Sequence, residues 1–345
     1  MKRRLLIGCF AGFGVLLLIL DAATAINAAQ TAVELCIRVI IPSLFPFFVV
    51  IDLLSSSLNG LHMKWLKPLE KWMQLPNGGG ALFLCGLLGG YPTGAQMIQK
   101  AWKDGGIDRS NAERMLAFCS NAGPAFIFGI IGPMLGGVWG SWLLWGIHIA
   151  SAILVGCVIP FSTPQSSLLP KSASISVSNT LRRAITAMCY VCGWVVLFRV
   201  IIGFCSRWFL WLLPTQLQVA LISVLELANG CTSLGLLDNM GVRMLIASAS
   251  VNFGGICVLM QTATVAGGLR IRNYLKGKLI QTLFAVIFTM IAQYFLYPAG
   301  SRINLSLPVM AVIVIILTAA ICFSRKRKIT VDFQGKMLYN IRKSK

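Results

Sequence analysis

The sequence predicts an all-α polytopic membrane protein: about eight transmembrane helices plus two re-entrant helical hairpins, set out as two inverted repeats. Three observations predict it. Apolar residues make up 57% of the 345 and charged residues only 12%, with a mean hydropathy of +0.79. A soluble chain holds roughly 45–50% and about 25%. The apolar residues fall in runs of spanning length, about 20 residues each. Four of those runs are broken by Gly, Pro, Ser or Asn, at corresponding places in the two halves.

Met1 to Arg4 is a short basic head, and Leu5 to Ile26 is a first span with Asp21 near its end. That run is longer than the apolar region of a signal peptide and further spans follow at once, so it is read as a helix. A second span covers about Leu35 to Leu54 and carries Pro42 and Pro46. In Gly60 to Gln74, Trp65 and Trp72 share one face among Lys64, Lys67 and Lys71. This is the pattern of an amphipathic helix lying at the membrane surface.

Ala81 to Ile98 would be another span but for Gly89-Gly-Tyr-Pro-Thr-Gly94. Gly costs about 1 kcal/mol and Pro about 3 kcal/mol in a helix interior, so the helix stops there. At membrane depth, irregular backbone persists only inside protein or beside a water-filled cavity. The break is therefore a buried hairpin tip or part of a binding site. Ser110-Asn-Ala-Glu113 reads as a capping box. The helix it starts breaks at Ser120-Asn-Ala-Gly-Pro124 and resumes as AFIFGIIGPML, and Trp139 to Phe161 is a clean span.

Ser162 to Asn179, rich in Ser and Pro, is the linker between halves. Beyond it lie a span at about Ala184 to Phe204, with Trp208 and Trp211 at its far interface, and Gln218 to Leu237, broken at Ala228-Asn-Gly-Cys-Thr-Ser233. Met244 to Ala266 is broken at Ser250-Val-Asn-Phe-Gly-Gly255, and clean spans follow at Leu279 to Tyr297 and Leu307 to Phe323. The expected divisions are an N-terminal helix (1–30), a first repeat (31–161), the linker (162–179), a second repeat (180–298), a C-terminal helix (299–324) and a basic tail (325–345).

The halves echo each other in detail. Arg114-Met-Leu116 leads into Asn121, Arg243-Met-Leu245 leads into Asn252, and Thr93 and Thr232 hold similar places in the two hairpins. With both hairpins re-entrant and both termini cytoplasmic, inner segments collect 25 of the 30 Lys and Arg. Arg38 and Arg199 are left within spans, and Arg207, Arg243 and Arg302 outside. Such asymmetry is what the positive-inside rule asks for. The two hairpins then enter from opposite sides, the inverted plan of many secondary transporters. A parallel arrangement with ten full spans is the alternative.

That distribution, with anionic lipid, explains the net charge of +20. No interleaved aromatic and basic motif points to nucleic acid. The eleven cysteines are scattered, and Cys189 and Cys192 have no second pair or histidine at metal spacing. His62 and His148 lie far apart. No metal site or cofactor is expected, and no Walker, GxSxG or HExxH pattern supports catalysis.

If the four breaks converge, they present Gly90, Tyr91, Thr93, Gly94, Ser120, Asn121, Asn229, Thr232, Ser250 and Asn252 to a small solute. The half-helix start after Pro92 and Thr93 suits an anion. The alternative is that these small polar residues only pack helices closely. Glu226, in LISVLELANG, is ionisable at membrane depth. It is expected either to serve a coupling cation or proton or to pair with Arg199. Asp21, Glu34, Arg38 and Asp52 lie nearer span ends and are expected to snorkel.

GLLGGYPTGA and CSNAGPAFIFGIIG resemble the YlbJ (SpoVV) group of sporulation integral membrane proteins, within the wider set that carries the nucleoside-recognition, or Gate, domain. The resemblance covers about residues 30 to 300. It implies a fold like that of concentrative nucleoside transporters, with a re-entrant hairpin in each of two inverted repeats. It also implies movement of dipicolinic acid, a small planar dicarboxylate, across the outer forespore membrane toward the spore. A nucleoside or other small-anion permease without a spore role, and a non-transporting scaffold acting through the basic tail, are the alternatives. The expected partners are a small anionic solute and the bilayer of the cell or outer forespore membrane. A coupling cation or proton and a homo-oligomer are compatible with this reading; nucleic acid is not.

Overall fold

The computed structural model describes residues 2–58, 63–159 and 176–297, and every regular element among them is helical. The predicted linker up to residue 175, the last predicted span, the basic tail, His62 and Arg302 lie outside the described residues.

Helix α1 (Lys2–Leu20) ends at Asp21, whose carboxylate accepts the Thr24 N–H at 3.3 Å and so caps α2 (Ala22–Leu35). A π turn at Cys36–Ile40 leads directly into α3 (Ile41–Leu58). Both predicted boundaries are corrected: the break falls at Asp21, before Ile26, and the alanine-rich stretch ahead of Leu35 is helical. Alanine is the best helix former, and a carboxylate at the first turn favours a new start. The π turn accommodates Pro42, which has no N–H to donate, and the helix continues through Pro46.

Two lysine-rich turns follow, a 3₁₀ turn at Lys64–Leu66 and α4 (Lys67–Met73), with Trp65 and Trp72 exposed and Leu66 and Met73 buried. Glu70 of α4 accepts the N–H groups of Gly78 and Gly80 at 3.0 and 3.1 Å, placing negative charge at the start of α5 (Gly79–Gly89). The first half continues with α6 (Thr93–Lys103), α7 (Arg109–Cys119), the short α8 (Pro124–Phe126) and α9 (Val138–Val158). The cap of α7 is Asp108, not Ser110: its carboxylate accepts from the N–H groups of Ser110 and Asn111. Glu113, freed from the expected box, pairs with Arg109 at 2.9 Å and Arg270 at 3.4 Å.

The second half is α10 (Val177–Trp208), α11 (Thr215–Leu225), α12 (Leu227–Thr232), α13 (Met240–Phe253), α14 (Gly255–Val265) and α15 (Arg272–Leu296). Helix α10 starts seven residues ahead of the predicted Ala184, because Ser176 caps it by accepting the Asn179 N–H. It runs antiparallel to α2 and α3. Arg207 meets Asp21 at 2.9 Å at one end and Arg183 meets Asp52 at 2.6 Å at the other. Asp21 and Asp52 thus bridge helices, and Glu34 at the end of α2 pairs with Arg38 of the π turn at 3.0 Å.

Polarity is arranged inside out. Leu16, Ile19, Val50, Leu197 and Leu283 are exposed, whereas Asn121, His148, Asn252, Lys278 and Gln281 are buried. Among the described residues, six helical stretches are long and apolar enough to cross a membrane: Ala22–Ser57, Arg109–Leu135, Val138–Val158, Val177–Trp208, Met240–Val265 and Arg272–Leu296. They coincide with six of the eight predicted spans; α1 is apolar but shorter, and the eighth is not described. The protein is a multi-pass membrane protein. Helices α5, α6 and α11 have 11 residues each, about 16 Å at 1.5 Å per residue, against a hydrocarbon core of about 30 Å. None of the three crosses alone. At the centre, α7 and α13 pack against both α9 and α15. The approach of α15 to α7 is at backbone distance, since a Cβ on Gly277 would stand 2.4 Å from the Ala117 oxygen.

Candidate functional site

The first hairpin turns at Gly90-Tyr91-Pro92, with the Tyr91–Pro92 peptide cis. Gly90 has φ +75°, a conformation that favours glycine. Its neighbours allow the arms to lie directly on the break of α7. A Cβ on Gly86 or Gly94 would come within 2.0 or 2.3 Å of the Cys119 oxygen, and one on Gly90 within 3.0 Å of the Gly123 nitrogen. Tyr91 reaches into the other half, its hydroxyl donating to the Val251 oxygen at 3.4 Å beside Gly254.

The second hairpin turns at Glu226, ahead of the predicted Ala228–Ser233. Glu226 is extended between α11 and α12, and residues Leu227–Thr232 are helical. Its carboxylate accepts the N–H groups of Ala228 at 2.9 Å and Asn229 at 2.6 Å and the Asn229 side-chain amide at 2.6 Å. Asn-Gly here is not the turn itself. A Cβ on Gly230 would stand 2.3 Å from the Ser223 Cα, so the glycine lets the two arms touch.

Both tips and the break of α7 line one cavity of about 40 Å³. Gly90 and Tyr91 come from the first tip, Glu226 and Ala228 from the second, Ala122 and Gly123 from the break of α7, and Gln261 from α14. That volume holds a few waters. A larger, open cleft of about 380 Å³ lies beside the first hairpin, where Thr93, Gln96 and Lys100 face Arg182, Arg183 and Asp52.

Behind the cavity runs a buried polar network. His148 Nε2 accepts the Ala122 N–H at 3.1 Å, which leaves the ring proton on Nδ1, 2.9 Å from the Asn252 oxygen. Lys278 donates to the Asn121 oxygen at 3.2 Å and to the Gln281 oxygen at 2.8 Å, and the Gln281 amide donates to Asn121 at 3.0 Å. Above the ammonium lies the Tyr91 ring, 5.1 Å to its centroid, with Tyr274 at 5.7 Å.

No family model matches the chain, and no solved structure does. Sporulation integral membrane protein YlbJ of Bacillus subtilis (strain 168) is 24% identical over 349 aligned residues, which cover 86% of this chain and 84% of that protein. The chain is YlbJ-like. A match of that extent takes in parts of both halves.

The YlbJ-like chain brings together some of the residues expected from sequence and leaves others apart. Gly90, Tyr91 and Glu226 line the cavity, and Asn121 and Asn252 belong to the network behind it. Thr93 faces the open cleft, and Gly94 is a backbone contact. Thr232 and Ser250 turn their hydroxyls back on the Asn229 and Ile246 oxygens of their own helices. Ser120 is buried without a hydrogen-bond partner, and Asn229 serves the Glu226 cap. Glu226 and Arg199 form no ion pair among the described residues, and Arg199 Nε is buried unpartnered.

Sequence reasoning missed His148, Lys278 and Gln281. Lys278 was counted with the basic residues of the inner surface, but it is fully buried, 1% exposed. The available signal was helical period: Tyr274, Lys278 and Gln281 recur at i, i+4 and i+7 on one face. For His148 it was an ionisable side chain inside a clean span.

Proposed function

We propose that the chain is a transporter of a small anionic solute, dipicolinic acid at the outer forespore membrane during sporulation, working by alternating access around its broken helices. One observation carries this reading: two hairpin tips and a helix break converge on one cavity. Broken helices meeting at membrane depth are how transporters expose backbone and polar groups to a solute. Arms too short to cross are consistent with re-entrant hairpins. The inverted plan of eight spans draws support from Arg114 and Arg243, which stand at corresponding places in the proposed repeats (31–161 and 180–298). Arg114 donates to the Met73, Gln74, Gly156 and Ile159 oxygens, and Arg243 to the Leu237 and Met134 oxygens. In this reading the open cleft with Lys100, Arg182 and Arg183 faces the cytoplasm and draws the anion in. The similar Bacillus subtilis protein is a sporulation integral membrane protein, which supports the setting.

Uptake by vesicles containing the purified protein, with dipicolinate and uridine compared, tests the reading. Dipicolinate uptake saturates if it holds. Uridine uptake alone makes the protein a nucleoside permease, and uptake of neither solute leaves the scaffold reading in its place.

A further inference from the structure

Lys278 carries a buried ammonium beside the cavity, and no carboxylate of the described residues meets it. Asp21, Glu34, Asp52 and Glu113 hold arginines; Glu70, Asp108 and Glu226 cap helices; Asp104 and Asp238 sit in surface turns. Among the described residues, the charge donates to two neutral oxygens, of Asn121 and Gln281, and faces two tyrosine rings. A buried ammonium is costly unless a counter-charge reaches it. Tyr91 both lines the cavity and covers the ammonium.

We propose that Lys278 is the counter-ion for a carboxylate of the solute, uncovered when Tyr91 moves aside on binding. The inference rests on the transporter reading above and names the chemistry of its site. Asn121 and Gln281 hold the ammonium while the site is empty. A single point charge suits one carboxylate, whereas phosphate sites recruit forked arginines or several donors. In Lys278→Met the Asn121 oxygen keeps the Gln281 amide, while the Gln281 oxygen loses its donor, so Lys278→Gln, whose own amide can donate, is the second variant.

The test is ligand-induced thermal stabilisation of the full chain in detergent. The ligands are dipicolinate, pyridine-2-carboxylate, inorganic phosphate and the neutral pyridine-2,6-dicarboxamide. Lys278→Met is expected to lose roughly 10- to 100-fold in carboxylate affinity, the range of one charged hydrogen bond. Dicarboxamide binding should be unchanged, and Lys278→Arg should recover part of the loss. Carboxylate affinity unchanged in Lys278→Met, or lost together with dicarboxamide affinity, overturns the proposal, as does a wild type that prefers phosphate. If neither Lys278→Met nor Lys278→Gln folds, the lysine is structural and the proposal falls. A wild type that binds other carboxylates but not dipicolinate sinks the dipicolinate reading and leaves Lys278 in place. A wild type that binds no carboxylate overturns both.

Discussion

His148 stands 2.9 Å from Asn252 through Nδ1 while its Nε2 takes the Ala122 N–H, so one imidazole on α9 latches the break of one half to the break of the other. Neither break can change shape without releasing a buried hydrogen bond. His148→Phe should therefore lower stability by about 1–3 kcal/mol for each partner left unmade. Thermal unfolding in detergent measures it, and His148→Gln should recover part of the loss.

Arg114 gathers four carbonyl oxygens from the ends of α4 and α9. Arg114→Met leaves those neutral acceptors without their donor and is expected to cost about 1–3 kcal/mol for each that water cannot reach. Arg114→Lys should rescue little, because a point charge cannot serve the spread of acceptors that a planar guanidinium reaches. Yield of folded protein after detergent extraction reads both.

Close packing of the first hairpin makes Gly94→Ala a severe change. The new methyl would lie 2.3 Å from the Cys119 oxygen, a backbone atom that cannot give way. Gly12→Ala on α1, where nothing lies within 4 Å, should leave stability unchanged or raise it by up to about 1 kcal/mol. Parallel melting curves of the two variants make the comparison.

Glu226 caps α12 with both oxygens, and no ion pair joins it to Arg199 among the described residues. Glu226→Gln puts an amide NH₂ against backbone donors, with an expected cost of about 1–3 kcal/mol. The two charges still act on each other through the protein, so Arg199→Gln should couple to it by less than the roughly 3–5 kcal/mol of a broken buried contact pair. A double-mutant cycle on thermal stability gives the coupling, and a larger value would restore the Glu226–Arg199 pair.

Transport, if it uses the open cleft, should depend on Thr93 and Lys100. Thr93→Val and Lys100→Gln are expected to reduce dipicolinate uptake several-fold without lowering the melting temperature. Uptake at rising salt gives a second readout. Screening should slow the wild type more than Lys100→Gln, since the lysine acts there at long range.

Much of the fold was legible in the chain. Spanning runs of Leu, Ile, Val and Phe have few alternatives to a lipid-facing helix, and three glycines and a proline within the six residues Gly89 to Gly94 cannot continue one. Gly89–Gly94 therefore marked the first tip, and Ser120–Pro124 and Ser250–Gly255 marked the two helix breaks. Local chemistry determined these features, so they could be read locally. Capping was harder to place: Asp21, Asp108, Ser176 and Glu226 moved four boundaries, because a side chain's choice between cap and solvent depends on what lies three residues on and on what packs above it.

What only the tertiary structure decided is who meets whom. Lys278 looks like a surface lysine in a basic run until α15 is packed on α7, which takes its ammonium out of water and puts it against Asn121, 157 residues away. His148 looks like an isolated histidine until α9 passes between both breaks. Thr232 and Ser250 are polar in the sequence, but their hydroxyls are satisfied within their own helices and so are unavailable to the cavity. Hydrophobic pattern and backbone breakers determine where a chain is helical and where it stops. Which buried polar groups face each other is set by helix rotation and register, which depend on packing across the whole bundle.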